Sequence, residues 1–198
     1  MDAITVGQAA PSFRLPSAQG AEVGLDEFRG RKNVIVWFTK GMGCPFCRTH
    51  MSQLARAYPE VQKRNTEILE VTVSPLGRGK LYAQKFTLPF PYLCDPDNRV
   101  RSQWGLGTRS HGPAYYVTTL IKGMTAPKPP NDWGDFAPPL AEMSSVLADD
   151  DMGLFIVDKE GRIRYALAGS YGTAEGPRPI PSNDEILGEL ERCESRVA

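Results

Sequence analysis

Two cysteines three residues apart, in the segment Cys44-Pro45-Phe46-Cys47, are the residues of this chain best suited to chemistry. On a helix, residues with this spacing are surface neighbours, close enough to form a disulfide after a small adjustment. Pro45 suits a first helical turn, because it has no amide hydrogen to leave unpaired there, so Cys44 is predicted as the N-cap. The spacing therefore predicts a disulfide that opens and closes at the start of a helix.

The predicted position of Cys44 favours its thiolate form. Unpaired amide groups and the positive end of the helix dipole stabilise a negative sulfur, and Lys40 and Arg48 add positive charge nearby. We expect Cys44 to be the exposed nucleophile that attacks a peroxide oxygen or a disulfide sulfur. Cys47 would then resolve the product as a Cys44–Cys47 disulfide. An external dithiol would reduce that disulfide, and no bound cofactor is needed.

The same spacing also occurs at zinc sites, where a C-x-x-C pair supplies two of four ligands. The residues that could complete such a site are Cys94, Cys193, His50 and His111. They are scattered and form no second closely spaced pair, so we predict neither a metal nor a cofactor. Cys94 and Cys193 are predicted to be small buried side chains. His50 is predicted to be solvated or packed rather than a general base.

The composition of the 198 residues excludes several classes of protein. With 41% apolar and 23% charged residues, the chain suits a globular domain rather than a collagen-like, disordered or disulfide-scaffold protein. Its 23 basic and 23 acidic side chains give no broad positive field for nucleic acid. The longest apolar run is too short to span a membrane, and the first residues lack a secretory pattern, so a cytoplasmic protein is expected.

Periodicity predicts strands alternating with helices. A continuous apolar run at 33–38 predicts a central strand covered on both faces. A helix is predicted from Pro45, with a bend at Pro59 and a resumption to about Asn65. Further strands are predicted at 68–73, 92–93 and 154–157, and a short helix at 80–86. This order predicts a βαβ arrangement.

The C-terminal half adds a hairpin and a long insertion. Asp158–Gly161 followed by alternating apolar residues predicts an antiparallel hairpin, and hence a mixed sheet. Ser182 and Glu185 form the pattern of a capping box at the start of a C-terminal amphipathic helix. Residues 106–150 are proline-rich and aperiodic, which predicts a surface insertion or, alternatively, a lid or oligomer contact. We predict one domain over residues 1–198.

Several segments outside the cysteine pair resemble those of a known family. They are the opening Val6–Leu15, the glycine-containing segments 20–25 and 30–33, and the late strand-turn-strand 155–163. Together with the place of Cys44, they resemble the alkyl hydroperoxide reductase and thiol-specific antioxidant family, peroxiredoxin-like proteins of the thioredoxin-like superfamily. The resemblance implies a thioredoxin-like α/β fold, with a central mixed sheet flanked by helices and an N-terminal β-hairpin. It also implies a thioredoxin-like or small-thiol reductant, and it allows a homodimer.

The chain departs from that family's pattern near the cysteine. Family members carry a proline seven residues, and a threonine or serine three residues, before the reactive cysteine, where this chain has Trp37 and Gly41. Thr39 is the nearest hydroxyl, and with Arg48 it is predicted to support the site. The family also places an arginine just before the late strand, and residues 149–152 contain none.

Three functions are consistent with these patterns. The first is the reduction of hydroperoxides by Cys44, with Cys47 as the resolving residue. The second is a thioredoxin-like thiol–disulfide oxidoreductase that uses the same two cysteines on disulfides. The third is a non-catalytic redox sensor or binding module whose insertion is the contact surface. Whether donors around Thr39 and the loop before Cys44 can polarise an O–O bond separates the first from the second.

Overall fold

The computed structural model describes residues 4–109, 117–118, 121, 149–170, 172–173, 176–177 and 179–195. Its strands are β1 (Arg14–Leu15), β2 (Val23–Gly24), β3 (Asn33–Thr39), β4 (Thr66–Thr72), β5 (Tyr92–Cys94), β6 (Thr108–Arg109), β7 (Asp149–Val157), β8 (Ile163–Ser170), β9 (Gly172–Thr173) and β10 (Gly176–Pro177). The helices whose bounds lie in the described residues are α1 (Pro45–Lys63), α2 (Leu76–Phe86), α3 (Arg99–Gln103) and α4 (Asn183–Ser195), and Leu25–Phe28 form a 3₁₀ turn.

The centre of the described fold is a mixed sheet of six strands. β3 pairs in parallel with β4, and β4 pairs in parallel with β5. On its other side β3 pairs antiparallel with β7, which also pairs antiparallel with β6 and β8. Because β3, β4 and β5 are parallel, their carboxyl ends meet at one edge of the sheet, where α1, α2 and α3 begin. This edge positions the candidate site.

Both faces of the central strand are covered, as the apolar run at 33–38 predicted. Every residue of β3 is buried. Ile35 and Trp37 face an apolar layer packed beneath α1 and α4, which we call the α1 layer and which also contains all four cysteines. Val34, Val36 and Phe38 face a second apolar layer on the opposite side of the sheet.

The helix that follows β3 ends close to its predicted boundary near Asn65. It continues from Pro45 through Pro59 to Lys63 as one helix. The predicted start of the next helix at residue 80 is wrong, because α2 begins at Leu76. No described helix is long and apolar enough to cross a lipid bilayer.

Short strands continue into both ends of the predicted insertion. β7 begins at Asp149 rather than at Leu154, and its first residues pair with β6 at 108–109. The sequence did not reveal this extension because three consecutive aspartates do not form an apolar strand pattern. Apart from positions 117, 118 and 121, residues 110–148 of the predicted insertion lie outside the described residues.

Side-chain caps hold the ends of the short elements. The Asp95 carboxylate accepts hydrogen bonds from the backbone N–H groups of Arg99, Val100 and Arg101, and so caps α3. The predicted capping box of α4 is confirmed, because Ser182 N–H donates to the Glu185 carboxylate at 2.7 Å and Glu185 N–H donates to Ser182 Oγ at 3.2 Å. The predicted hairpins are present as the β1–β2 and β7–β8 pairs.

Candidate active site

Cys44 lies between the end of β3 and the start of α1. Residues 40–43, which we call the redox loop, leave the carboxyl end of β3 and turn into the helix. Cys44 is the N-cap of α1, with extended backbone angles and Pro45 as the first helical residue. Its Sγ accepts a hydrogen bond from the Cys47 N–H at 3.5 Å. The predicted N-cap role of Cys44 is therefore confirmed.

Both cysteines of the pair are buried, which corrects the prediction of an exposed Cys44. The exposed fraction is 3% for Cys44 and 0% for Cys47. The physical reason is that the redox loop folds back onto the sheet: Met42 is fully buried, and Gly41 C=O accepts a hydrogen bond from Cys44 N–H at 3.1 Å. The start of a helix is exposed where the preceding chain leads away from it. Here the redox loop instead packs against the first turn of α1 and covers Cys44.

The pKa values of the two sulfurs are shifted in opposite directions. Burial raises the pKa of Cys44, but the hydrogen bond from the Cys47 thiol, the charge of Lys40 and the backbone N–H groups of Cys47 and Phe46 outweigh it and lower that pKa to about 7. Burial and the adjacent Cys44 sulfur raise the pKa of Cys47 well above its usual range. At neutral pH Cys44 is therefore about half ionised, whereas Cys47 keeps its proton.

A cluster of polar side chains beneath the redox loop fixes its path. Thr39 Oγ1 accepts a hydrogen bond from Gly41 N–H at 2.7 Å, and the Tyr92 hydroxyl accepts one from Met42 N–H at 3.1 Å. Ser74 Oγ hydrogen-bonds with the same tyrosine hydroxyl at 2.8 Å. Gly41 has a φ of +80°, and a Cβ there would overlap the Tyr92 hydroxyl. Glycine is thus required at this position of the loop.

The two predicted supporting residues both contact the redox loop. Arg48 is buried, and its Nη1 donates a hydrogen bond to Met42 C=O at 2.7 Å. Thr39 holds Gly41 and donates its own hydroxyl proton to Glu70 Oε1 at 3.0 Å. The structure thus brings both residues to the site, where they shape the chain around Cys44.

Two buried ionisable side chains at this edge were missed by the sequence reasoning. Glu70, on β4, is fully buried behind Thr39. Arg101, on α3, approaches the sheet from the opposite face and donates hydrogen bonds to the carbonyl oxygens of Thr39, at 2.6 Å, and Asp151. The sequence signal for Arg101 was its place between two apolar residues, Val100 and Trp104. Both of these residues are buried in the structure.

The remaining candidates lie apart from this chemistry. Cys94 and Cys193 are buried in the α1 layer as predicted, and burial raises the pKa of Cys94 to about 11. His50 is buried beside the Trp37 ring, and burial lowers its pKa to about 4. No group of three or more potential ligands for a metal occurs among the described residues, and His111 lies outside them.

Comparison with known proteins identifies relatives of this chain by sequence. The model of the family described as AhpC/TSA matches residues 6–125. The chain is 31% identical over 103 residues to the chloroplastic peroxiredoxin Q of Populus jackii, which covers 52% of this chain and 48% of that protein. It is 32% identical over 103 residues to a putative peroxiredoxin bcp of Coxiella burnetii, covering 52% and 68% respectively. The chain spans about half the length of the chloroplastic relatives it matches.

Solved structures share the fold. The crystal structure of peroxidoxin BcpB from Mycobacterium tuberculosis superposes with a TM-score of 0.62, at 15% sequence identity, covering 94% of this chain and 96% of that one. The prediction of a thioredoxin-like α/β fold with a central mixed sheet is confirmed.

Proposed function

The chain belongs to the AhpC/TSA family, and from that membership we propose that it is a thiol-dependent peroxidase in which Cys44 reduces hydroperoxides. One observation carries the proposal: the Cys44 sulfur caps α1, accepts the Cys47 N–H and has a pKa of about 7. A thiolate is the reactive nucleophile, and about half of this sulfur is ionised at neutral pH.

The proposed reaction has two chemical steps and a reductive step. The Cys44 thiolate attacks one peroxide oxygen, the O–O bond breaks, and the products are Cys44 sulfenic acid and an alcohol or water after protonation. The Cys47 thiol then attacks the sulfenic sulfur, which forms a Cys44–Cys47 disulfide and releases water. A dithiol reduces this disulfide and is itself oxidised to a disulfide. The raised pKa of Cys47 suits the second role, because Cys47 keeps its proton until Cys44 has reacted.

The burial of the pair favours a small substrate. With Cys44 only 3% exposed and Cys47 fully buried, a hydroperoxide can approach the nucleophile more readily than the disulfide of a folded protein. The Thr39 hydroxyl proton is committed to Glu70, so Thr39 is not the donor that polarises the O–O bond. Lys40 is the cation whose charge reaches Cys44, and we assign it the electrostatic role.

Reduction of the buried disulfide requires the start of α1 to open. Neither sulfur offers the surface that an attacking thiolate needs, and the first helical turn and the redox loop cover both. A thioredoxin-like dithiol or a small thiol is the proposed reductant. The small thiol requires less opening of the first turn of α1. A homodimer stays a prediction.

The test is stopped-flow oxidation of the reduced protein by hydrogen peroxide and by an alkyl hydroperoxide, beside turnover of a small-molecule and a protein disulfide. We expect the hydroperoxides to react, Cys44→Ser to abolish the reaction, and Cys47→Ser to accumulate a Cys44 sulfenic acid that dimedone traps. Faster reduction of disulfides than of either peroxide would overturn the peroxidase proposal. Equal, slow reaction of wild type and Cys44→Ser with every substrate would favour the non-catalytic alternative.

A further inference from the structure

Glu70 is a carboxyl group in an apolar interior. It lies in the middle of β4, directly opposite Trp37 on β3 and Tyr92 on β5, and its exposed fraction is 0%. Burying a carboxyl group costs free energy, and a packed apolar side chain at such a position is often as stable or more stable. Stability alone therefore does not account for glutamate here.

The contact of Glu70 leads directly to the redox loop. Its Oε1 accepts the hydroxyl proton of Thr39 at 3.0 Å, and no described residue hydrogen-bonds to its Oε2. A hydroxyl has one proton and two lone pairs, so a proton directed at Glu70 leaves the lone pairs of Thr39 for the Gly41 N–H at 2.7 Å. Without Glu70, the Thr39 hydroxyl proton would have no fixed direction, and the lone pairs of Thr39 would no longer be held toward that amide.

The redox loop transmits this arrangement to the Cys44 sulfur. Gly41 C=O accepts the Cys44 N–H, and Met42 C=O accepts Arg48 Nη1, so the loop and the first turn of α1 are held in one register. Lys40, whose charge stabilises the thiolate, is the residue between Thr39 and Gly41. A change at Thr39 therefore moves both the cation and the cap.

We propose that Glu70 is a positioning residue for Cys44: by accepting the Thr39 proton it fixes the redox loop, and the loop sets the charges and amides around the sulfur. The inference rests on the proposed role of Cys44 as the nucleophile. Glu70 touches neither sulfur, and it acts through Thr39. Burial raises the pKa of Glu70 to about 8, so the carboxyl is mostly neutral at pH 7, where its carbonyl oxygen accepts the Thr39 proton.

The test compares Glu70→Leu with Glu70→Gln in the full chain. Leucine keeps the size and removes the acceptor, whereas glutamine keeps a neutral acceptor of the same shape. The readout is the pH dependence of Cys44 alkylation by iodoacetamide, followed at that residue by mass spectrometry. We expect Glu70→Leu to move the midpoint from about pH 7 towards the ordinary thiol value and to slow alkylation at pH 7 about tenfold. Glu70→Gln should restore the wild-type midpoint.

Two further variants keep the test decisive if Glu70→Leu does not fold. Thr39→Val removes the linking hydroxyl and should produce the same shift, and Thr39→Ser should restore it. Combining Thr39→Val with Glu70→Leu should add nothing to either change, because both act on one hydrogen-bonded chain. Glu67→Leu is the matched control, since Glu67 lies on the same strand and its carboxylate contacts Tyr58 instead of the loop.

An unchanged Cys44 midpoint in both Glu70→Leu and Thr39→Val would overturn the inference. An equal shift in Glu67→Leu would also overturn it, because the effect would then follow from general destabilisation. The outcome is distinct from that of the proposed function: alkylation measures the sulfur whether or not any hydroperoxide is reduced. If wild type reduces no peroxide but Glu70→Leu still shifts the midpoint, the positioning role stands and the peroxidase proposal fails.

Discussion

Cys44 at the start of α1 and Cys94 at the end of β5 lie in the same apolar layer and are almost equally withdrawn from solvent, at 3% and 1% exposure. The pKa of Cys44 is nevertheless lowered to about 7, whereas burial and the charge of Glu70 raise the pKa of Cys94 to about 11. The difference lies in the donors, because Cys44 has the Cys47 thiol, two backbone amides and Lys40. Reactivity in this layer is therefore set by what surrounds the sulfur and not by its exposure.

The largest expected difference between the two cysteines is in peroxide reduction. Cys44→Ser removes the nucleophile and should lower the rate constant with hydrogen peroxide by about a thousandfold or more. Cys94→Ser makes the same chemical change at an equally buried position and should leave the rate within about twofold. Stopped-flow measurements on both variants check this, and a similar loss in both would remove the distinction between the two regions.

The second expected effect comes from the shape of the redox loop. Gly41→Ala places a Cβ against the Tyr92 hydroxyl and Ser74 at a φ of +80°, and should cost about 2 kcal/mol or more in the free energy of unfolding. Peroxide reduction should fall with it, because Cys44 loses its cap geometry. Gly77→Ala is the matched control: it lies in exposed helix with open space at the Cβ, and should be neutral or stabilising. Urea denaturation gives both values, and a neutral Gly41→Ala would contradict the account of the loop.

The contributions of Cys44 and Cys94 to the free energy of unfolding should depend on pH in opposite directions. The pKa of Cys44 is lower in the folded protein than its ordinary value of 9. Ionisation of Cys44 therefore stabilises the fold fully above pH 9, and this stabilisation is lost as the pH falls through about 7. The pKa of Cys94 is higher in the folded protein than its ordinary value of 9. The protonated Cys94 therefore stabilises the fold fully below pH 9, and this stabilisation is lost as the pH rises through about 11. Relative to the matching serine variants, wild-type stability should rise by roughly 2 kcal/mol from pH 7 to 9 and fall by a similar amount from pH 9 to 11.

Urea denaturation of wild type, Cys44→Ser and Cys94→Ser across that pH range measures these contributions. The same slope for both cysteines would show that burial, rather than the local donors, controls their acidity.

The smallest expected effect is that of the charge on Lys40. Lys40→Met removes the cation that stabilises the Cys44 thiolate and should slow peroxide reduction at pH 7 by about threefold to tenfold. The loss should disappear at a pH high enough to ionise the thiol in both proteins. Lys40→Arg keeps the charge and should recover most of the rate. A pH-independent loss in Lys40→Met would assign the residue to substrate contact instead.

The local signals in the sequence were sufficient for the frame of the site. The apolar run of β3, Pro45 after Cys44, and Ser182 with Glu185 each act within a few residues, and the structure confirms the strand, the N-cap and the capping box. These features depend on local backbone geometry, which a sequence pattern records directly.

Features that depend on contacts between distant segments were not visible. Glu70 follows apolar residues in β4 and its burial arises from the strands and helix packed around it, while Arg101 reaches Thr39 from 62 positions along the chain. The burial of Cys44 likewise follows from the redox loop packing on Tyr92, a residue of another strand. Such contacts are set by tertiary packing, and no local period encodes them.

The most direct test of the asymmetry between the sulfurs is site-resolved alkylation of the reduced wild-type protein by iodoacetamide between pH 5 and 10. We expect Cys44 to be modified with a midpoint near pH 7, and Cys47 and Cys94 only at much higher pH. Modification of Cys47 before Cys44, or a midpoint for Cys44 near its ordinary value of 9, would contradict the account.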